Sequence, residues 1–277
     1  MKRNKTMFTT SDKHLVINEI INRHGQEKPL QNTFQKTLIM TVVIGLLMTN
    51  TGVAKAEAAD KKKTVSSIAG IPRSTSQDNM KDGRDFLKEM SDAANAVQSY
   101  SSTSSMTVFK GGKTISENSK FYFKKPRMIR AEELGPYKKG SVAVLLKNGK
   151  IKGHLGGILS KFTGTVDADS GFATTANDYP LVQSDFYSMS KVMLDFANGG
   201  KKTLASSSPV TVTGQAKPVY VIEMYTDGTT QQLMKRAYID PQTLLPVEWF
   251  DYKDGKLFAH TNWKDVKVNA DLDDSLF

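Results

Sequence analysis

The chain has no cysteine among its 277 residues. This absence excludes disulfide bonds, thiolate metal sites and a cysteine nucleophile. It also excludes a lipoprotein of the bacterial type, because the acceptor of that lipid is a cysteine side chain. A domain without disulfides must be held together by its hydrophobic core, and about 220 residues are enough for one good core. We therefore expect a single folded domain.

Motifs that carry chemistry are equally scarce. Beyond residue 56, histidine occurs only at His154 and His260, on different predicted hairpins and without an acidic neighbour at ligand spacing,. Neither a GxxxxGK[ST] phosphate loop nor a GxSxG nucleophile motif is present,. Glu132 and Glu133 are adjacent in a predicted strand, so they point to opposite faces and cannot form an acid–base couple. The sequence predicts neither an enzyme nor a metal site, and no cofactor.

The longest hydrophobic run lies near the N-terminus, at residues 38–48. Lys36 precedes it and Ala54-Lys55-Ala56 follows it, the pattern of a cleavable signal peptide over residues 1–56. The run is too short to cross a bilayer comfortably, so we expect an exported, periplasmic or extracytoplasmic protein that begins near Glu57. The long segment before the run favours a start codon assigned too far upstream. If cleavage fails, the run extended to Ala54 is a marginal membrane tether.

Half of the positive charge belongs to this leader. The chain carries 38 Lys and Arg against 28 Asp and Glu, a net charge of +10. Residues 1–56 hold eight of the basic and three of the acidic residues, which leaves 30 against 25, a net charge of +5. The remainder lacks the clustered basic face of a nucleic-acid-binding protein, and we expect no nucleic-acid partner.

Residues 57–80 are rich in Lys, Ser, Thr and Ala, and predict a flexible lead-in before a domain at 81–277,. A helix is predicted from about residue 82, because apolar residues then recur at helical spacing. A second helix is predicted over 181–197 and ends at Gly199-Gly200. The apolar stripes of the two helices comprise Phe86, Leu87, Met90, Ala93, Ala94 and Val97 in the first, and Val182, Phe186, Met189, Met193 and Phe196 in the second,.

Strand-like segments fill the rest of the domain, apart from a Gly- and Ser-rich stretch at 156–178 that predicts a long surface loop with one or two short strands. Tight turns such as Asn148-Gly149, Asp227-Gly228 and Asp254-Gly255 connect them,. The order helix, strands, helix, strands predicts an α+β protein with one antiparallel sheet. So many strands cannot stay flat, and we expect a curled half-barrel lidded by the two helices.

Such a sheet leaves a concave face, which is either filled by side chains or holds a ligand. Methionine suits irregular apolar pockets because it is flexible and polarizable. Plain core packing is the alternative for each residue. As candidate ligand-binding residues of the cavity and lid we single out Phe86, Met90, Val182, Phe186, Met189, Met193 and Phe196.

This order of elements resembles the LolA/LolB-like superfamily of exported bacterial lipid and lipoprotein carriers, and most closely a sub-family without assigned activity. The resemblance spans residues 82–277 as a pattern of elements. The matching pieces are Val97-Gln98-Ser99-Tyr100, the strand ending Phe123-Lys124-Lys125-Pro126-Arg127-Met128-Ile129-Arg130, Tyr238-Ile239-Asp240-Pro241, Leu245-Pro246-Val247-Glu248-Trp249-Phe250, and the ending from Trp263 to Phe277.

The resemblance implies a non-catalytic, monomeric binding protein whose ligand is a lipid or an acylated protein. It also implies a membrane-associated envelope partner. In the carriers a basic residue before the strand-junction proline helps to hold the lid. Lys125 occupies that position here, with Lys in place of Arg,.

We further hypothesise that Lys125 and Arg130 flank the open edge of the half-barrel, where a lid or an anionic head group meets a positive charge. Alternation along the strand places Met128 and Arg130 on one face and Arg127 and Ile129 on the other. Solvent-facing basic residues are the alternative. Two other functions stay open beside lipid carriage, namely a sensory or regulatory envelope domain on the same fold and, less favoured, a cell-envelope enzyme.

Overall fold

The computed structural model describes residues 79–168 and 173–277. The predicted leader and nearly all of the predicted lead-in lie outside the described residues. Two helices are described, α1 (Arg84–Ala96) and α2 (Phe186–Asn198). The strands are β1 (Met80–Asp82), β2 (Ser99–Lys110), β3 (Lys113–Lys124), β4 (Met128–Glu133), β5 (Val142–Leu145), β6 (Lys150–His154), β7 (Thr163–Asp167), β8 (Thr203–Ser206), β9 (Tyr220–Tyr225), β10 (Leu233–Ile239), β11 (Pro246–Lys253) and β12 (Lys256–Val268).

The strands of the described part form one antiparallel sheet of twelve, in the order β1-β8-β9-β10-β11-β12-β2-β3-β4-β5-β6-β7. Short connections join β9 to β10, β10 to β11 and β11 to β12, and the left-handed residues Asp254 and Gly255 make the tight turn between β11 and β12,. A sheet of this width accumulates the right-handed twist of its strands and curls. The α+β fold with a curled antiparallel half-barrel and two covering helices is therefore confirmed.

The two helices pack on each other and against one end of the concave face. Tyr100 on β2 lies opposite Phe123 on β3 in register, and both side chains point to the helices. Phe186, the first residue of α2, stacks on the Tyr100 ring with centroids 4.6 Å apart and donates its backbone N–H to the Tyr100 hydroxyl oxygen at 3.1 Å. This aromatic cluster fixes the start of α2 over the sheet.

The second helix begins later than the sequence predicts. Residues 181–183 form a single 3-10 turn, and α2 starts only at Phe186. Asp185 is the N-cap, because its carboxylate accepts the Ser188 N–H at 2.9 Å and the Ser188 hydroxyl at 2.5 Å,. Val182 consequently belongs to the turn that precedes the helix, half-buried against the core.

Two short strands were missed by the sequence analysis. Met80 of β1 lies opposite Ser206 of β8, at the far edge of the sheet. With three and four residues, these strands are too short to show an alternating pattern. Their pairing instead depends on the neighbouring strand β9, to which β8 is bonded.

The second half of the predicted surface loop is not on the surface. Residues 173–184, here called the strap, cross the concave face, and Ala173, Ala176 and Leu181 are buried. Side chains of the sheet hold the strap by its backbone. The Ala176 N–H donates to Glu117 Oε2 at 2.5 Å, Lys138 Nζ donates to the Thr174 carbonyl at 2.9 Å, and an Arg127 guanidinium N–H donates to the Val182 carbonyl at 2.7 Å.

Candidate functional site

A cavity of about 310 Å³ lies between the strap and the concave face. Strands β2 and β12 and their neighbours on both sides supply most of its wall. Successive residues of a strand alternate between the two faces of the sheet, so the residues that line the cavity are those that face inward. Its apolar wall comprises Met106, Phe121, Ala131, Tyr179, Leu181, Met189, Trp249, Phe258 and Trp263. This volume stands at the small end of the range for ligand pockets.

The two tryptophans of the chain both lie in this wall. The Trp249 and Trp263 ring centroids are 6.4 Å apart with the rings nearly perpendicular. The Trp249 indole N–H donates to Asp251 at 3.1 Å, which fixes the ring, and Lys235 Nζ stands 4.2 Å from its centroid. A pair of rigid aromatic faces provides much of the apolar area available to a ligand.

One end of the cavity is acidic. Glu117 on β3 is 3% exposed, and burial raises the pKa of its carboxyl, against the opposing effects of the Ala176 N–H and Lys138. Burial, followed by repulsion from Glu117, raises the pKa of Glu133 to about 8, although Lys138 acts in the opposite direction. Glu133 Oε2 is buried and has no hydrogen-bond partner among the described residues. The Glu133 carboxyl therefore keeps its proton to a higher pH than an exposed glutamate does.

An ion pair occupies another part of the wall. Lys235 on β10 and Asp251 on β11 lie opposite each other in register and their side chains are in direct contact. Burial lowers the pKa of Lys235, and the adjacent Asp251 carboxylate counteracts this effect. Because the two charges neutralise each other, the pair gives this wall no net charge.

The predicted site residues separate into core and cavity. Met189 lines the cavity, whereas Phe86, Met90, Phe186 and Met193 are buried in the hydrophobic core between helices and sheet. Val182 and Phe196 are partly buried against the same core. Their role in ligand binding stays a prediction. The strand residues that line the cavity, above all Glu117, were not singled out from the sequence.

Glu132 and Glu133 point to opposite faces, as alternation predicts. Glu132 accepts a hydrogen bond from Arg130 at 2.6 Å, whereas Glu133 lines the cavity. The carboxyl that influences the pKa of Glu133 is Glu117, on the adjacent strand, and not its neighbour in the chain.

Alternation around the strand junction is also confirmed. Ile129 joins the core on the concave side, and Arg127 reaches the strap. Arg130 points the other way, where an N–H of its guanidinium donates to the Leu276 carbonyl at 3.0 Å. This contact ties the C-terminal segment to the sheet, so a meeting of Arg130 with a lipid head group stays a prediction.

Lys125 holds a helix end. Its ammonium donates a hydrogen bond to the Asn95 carbonyl, in the last turn of α1. A cation at this place also interacts favourably with the negative end of the helix dipole. The residue thus contacts one of the helices that cover the sheet, while its effect on a ligand stays a prediction.

Replacing Lys125 should loosen this end of α1. We expect Lys125→Leu to lower the free energy of unfolding by only about 0.5–1 kcal/mol and to speed hydrogen exchange of the amides in the last turn of α1. Lys120→Leu, a change at an exposed lysine of β3, is the matched control. Equal exchange rates in both variants would show that the contact with Asn95 contributes nothing.

Glu133 should make the folded state less stable at alkaline pH. Its ordinary pKa is 4.5 and its folded pKa is about 8, so the folded state holds the proton more tightly than the unfolded state. Stability from this group is fully present below pH 4.5 and is lost as pH rises through about 8. We expect Glu133→Gln to flatten the decline of the urea midpoint over this range.

The control for this measurement is Glu89→Gln, at an exposed position of α1. This variant should show the wild-type dependence of the urea midpoint on pH. A Glu133→Gln curve parallel to the wild-type curve between pH 4.5 and 8 would contradict the account of the buried carboxyl.

Among residues 79–168 and 173–277, no helix is long and apolar enough to cross a membrane. Within the same residues, no group of three or more His, Asp or Glu side chains is placed to hold a metal ion.

No protein-family model matches the chain, and no curated protein matches its sequence. Solved structures do match. A DUF1329 family protein from Desulfovibrio piger is 17% identical, with 70% of this chain and 95% of that chain covered and a TM-score of 0.37. A LolA superfamily protein from Nitrosomonas europaea is 10% identical, with coverage of 69% and 96% and a TM-score of 0.38. A match in the Pseudomonas aeruginosa MucA/MucB complex is 14% identical, with coverage of 70% and 59% and a TM-score of 0.42.

The described residues show the features that the resemblance implied, namely an open, curled antiparallel sheet with two helices packed on its concave face.

Proposed function

We propose that this protein is an exported, non-catalytic binding protein, and that its cavity holds the hydrocarbon chain of a lipid or of an acylated protein. The observation that supports the proposal is the cavity of about 310 Å³ beneath the strap, with Trp249, Trp263 and Phe121 in its wall. Side chains fill the core between the helices and the sheet, whereas this cavity offers a hydrocarbon chain space that is shielded from water.

The strap gives such a ligand a way in. Three side-chain contacts hold its backbone, and Lys110 forms an exposed ion pair with Asp178 at its tip. An exposed pair of this kind contributes little to stability. Opening the strap would break these polar contacts and expose Ala173, Ala176 and Leu181, while the contacts of α1 and α2 with the sheet could stay in place. Such a movement suits the loading and release of a chain.

Mass spectrometry of the protein purified from its native host tests this proposal. Under denaturing conditions the mass should correspond to a chain that begins within a few residues of Glu57. Under native conditions an additional mass should appear that dissociates as a lipid on collisional activation. An intact N-terminus would contradict cleavage of the predicted leader. Protein that never carries a lipid, even after incubation with envelope lipid extract, would contradict the binding role.

A regulatory envelope domain is the second candidate, and one feature favours it. Between β6 and β7, Ile158 is 88% exposed and Phe162 is 71% exposed. Large apolar side chains exposed together in this way are typical of protein-interaction sites. If a membrane-associated partner binds here, a photo-crosslinker at Ile158 should give a discrete adduct in cells that Phe162→Asp abolishes. A crosslinker at Lys113, on the exposed end of β3, should give none.

A further inference from the structure

Carboxyl groups outnumber cations in the cavity wall. The ionisable side chains of the wall are Glu117, Glu133, Tyr179, Lys235 and Asp251, and Lys235 is in contact with Asp251. Lys138 lies close enough to influence both glutamates, but its ammonium donates to the Thr174 carbonyl of the strap. An anionic head would lie against two carboxyl groups at this end, and its burial would be unfavourable.

The two carboxyls converge because of the strand register. Ser119 of β3 lies opposite Glu133 of β4, and Glu117 stands two residues from Ser119 on the same face. Glu117 and Glu133 are thus diagonal neighbours across adjacent strands, a separation of about 7–8 Å at which long side chains interact. Both line the cavity.

The carboxyl oxygens of Glu117 and Glu133 can accept further hydrogen bonds. The backbone of Ala176 donates to Glu117 Oε2, whereas Glu133 Oε2 is buried and has no hydrogen-bond partner in the part of the chain that the structure describes. A buried carboxyl oxygen without a donor is unfavourable, and a group that supplies a donor relieves this cost. The acidic end is therefore suited to a head group that donates hydrogen bonds or carries a positive charge.

We propose that the cavity selects single-chain amphiphiles with a cationic, hydrogen-bond-donating head, which lies between Glu117 and Glu133 while the chain packs along Trp249 and Trp263. This inference rests on the proposed function and names its class of ligand. The cavity volume of about 310 Å³, at the small end of the range for ligand pockets, favours one hydrocarbon chain over several.

Binding of a cation should also release a proton. The groups that face Glu133 from the surrounding elements are Glu117 on β3, Lys138 after β4, His154 on β6 and Tyr179 on the strap, with Lys235 and Asp251 across the cavity. Because Glu133 keeps its proton until about pH 8, a cationic head that favours the ionised carboxylate competes with that proton. Affinity for the cation should therefore rise with pH.

The two cavity tryptophans allow a direct test with the full-length mature protein. Their emission is recorded while the protein is titrated, below the micelle concentration, with dodecylamine, dodecyltrimethylammonium, dodecanol or dodecyl sulfate, which share one chain length. We expect dodecylamine to bind roughly tenfold to a hundredfold more tightly than dodecyl sulfate. The trimethylammonium compound, which has the charge but no N–H donor, should lie between them. Circular dichroism confirms that the fold persists.

Variants then assign the preference to the carboxyls. Glu117→Gln and Glu133→Gln should each reduce the ratio of the affinity for dodecylamine to that for dodecyl sulfate, and Glu89→Gln should keep the wild-type ratio. The affinity for dodecyltrimethylammonium, whose charge does not titrate, should rise between pH 6 and 8.5 in the wild type and not in Glu133→Gln.

The possible results separate this inference from the function on which it rests. Equal affinity for all four heads would overturn the preference but leave chain binding in place. The same holds for a preference that both glutamine variants retain. A titration in which none of the four compounds alters the emission would overturn the proposed binding function itself, and the preference with it.

Discussion

Phe186→Ala is expected to lower the free energy of unfolding by about 3–5 kcal/mol, the range for removing a buried phenylalanine. Phe186 is 1% exposed. Its ring stacks on Tyr100 and meets the Trp263 ring edge-on at 5.8 Å between centroids. Truncation would leave a space where the first turn of α2 meets the sheet, and the rigid surroundings can fill it only in part.

Urea unfolding followed by far-UV circular dichroism measures this effect. Phe162→Ala is the matched control, because the same substitution at a side chain that is 71% exposed should change stability by no more than about 0.5 kcal/mol. A Phe186→Ala protein as stable as the control would mean that the helices do not form the core of this domain.

Ala131→Phe is expected to abolish chain binding at the concentrations that saturate the wild type. Ala131 of β4 lines the cavity and lies opposite Phe121 in register. An added benzyl group at this inward position would occupy space that the ligand needs. Since the cavity is already open, the new ring should be accommodated with less strain than in a filled core, where overpacking costs about 1–3 kcal/mol.

The smaller change Ala131→Leu should weaken binding less than the phenylalanine does, so that affinity falls in order of added volume. Ala96→Phe, at an exposed position near the end of α1, controls for the apolar ring itself. Titration with dodecylamine gives the affinities, and thermal unfolding shows that each variant is folded. Unchanged affinity in a folded Ala131→Phe protein would place the ligand elsewhere.

The sequence predicted the fold well because it carries two clear local signals, namely the helical spacing of apolar residues and the residues of tight turns. The stripe that contains Phe86 and Met90 indicates a helix with one buried face, and both residues are buried. The turns at Asn148-Gly149 and Asp254-Gly255 predict hairpins, and each connects two antiparallel strands. Such signals are local, so they do not depend on which distant segments come together.

The position of the cavity depends on distant segments, and this is why it was predicted less well. The apolar stripes of the helices indicate only that these faces are buried, and most of them meet the sheet directly. Tertiary contacts decide where space is left. One signal was available, since Glu117 shares its strand face with Ser119, Phe121 and Phe123. A carboxyl on an inward-facing strand position is expensive to bury and marks a special environment.

The strap was predicted least well for a similar reason. Between Ala173 and Asp178 its residues are small or polar, and neither helical nor strand periodicity marks them. It covers the sheet because side chains far away in the sequence, Glu117 and Arg127 among them, bond to its backbone. Backbone groups that are satisfied in this way can be buried, but the sequence of the strap itself does not reveal the partners.

Quenching of tryptophan emission by a brominated chain tests the central claim most directly, because bromine quenches an indole only at close range. Trp249 and Trp263 both line the cavity, and the chain has no other tryptophan. Dodecylamine brominated near the middle of its chain should quench most of the emission at saturation, whereas unbrominated dodecylamine should not. Ala131→Phe should prevent the quenching. Equal emission with the brominated and unbrominated compounds, at concentrations where both are bound, would contradict binding of the chain beneath the strap.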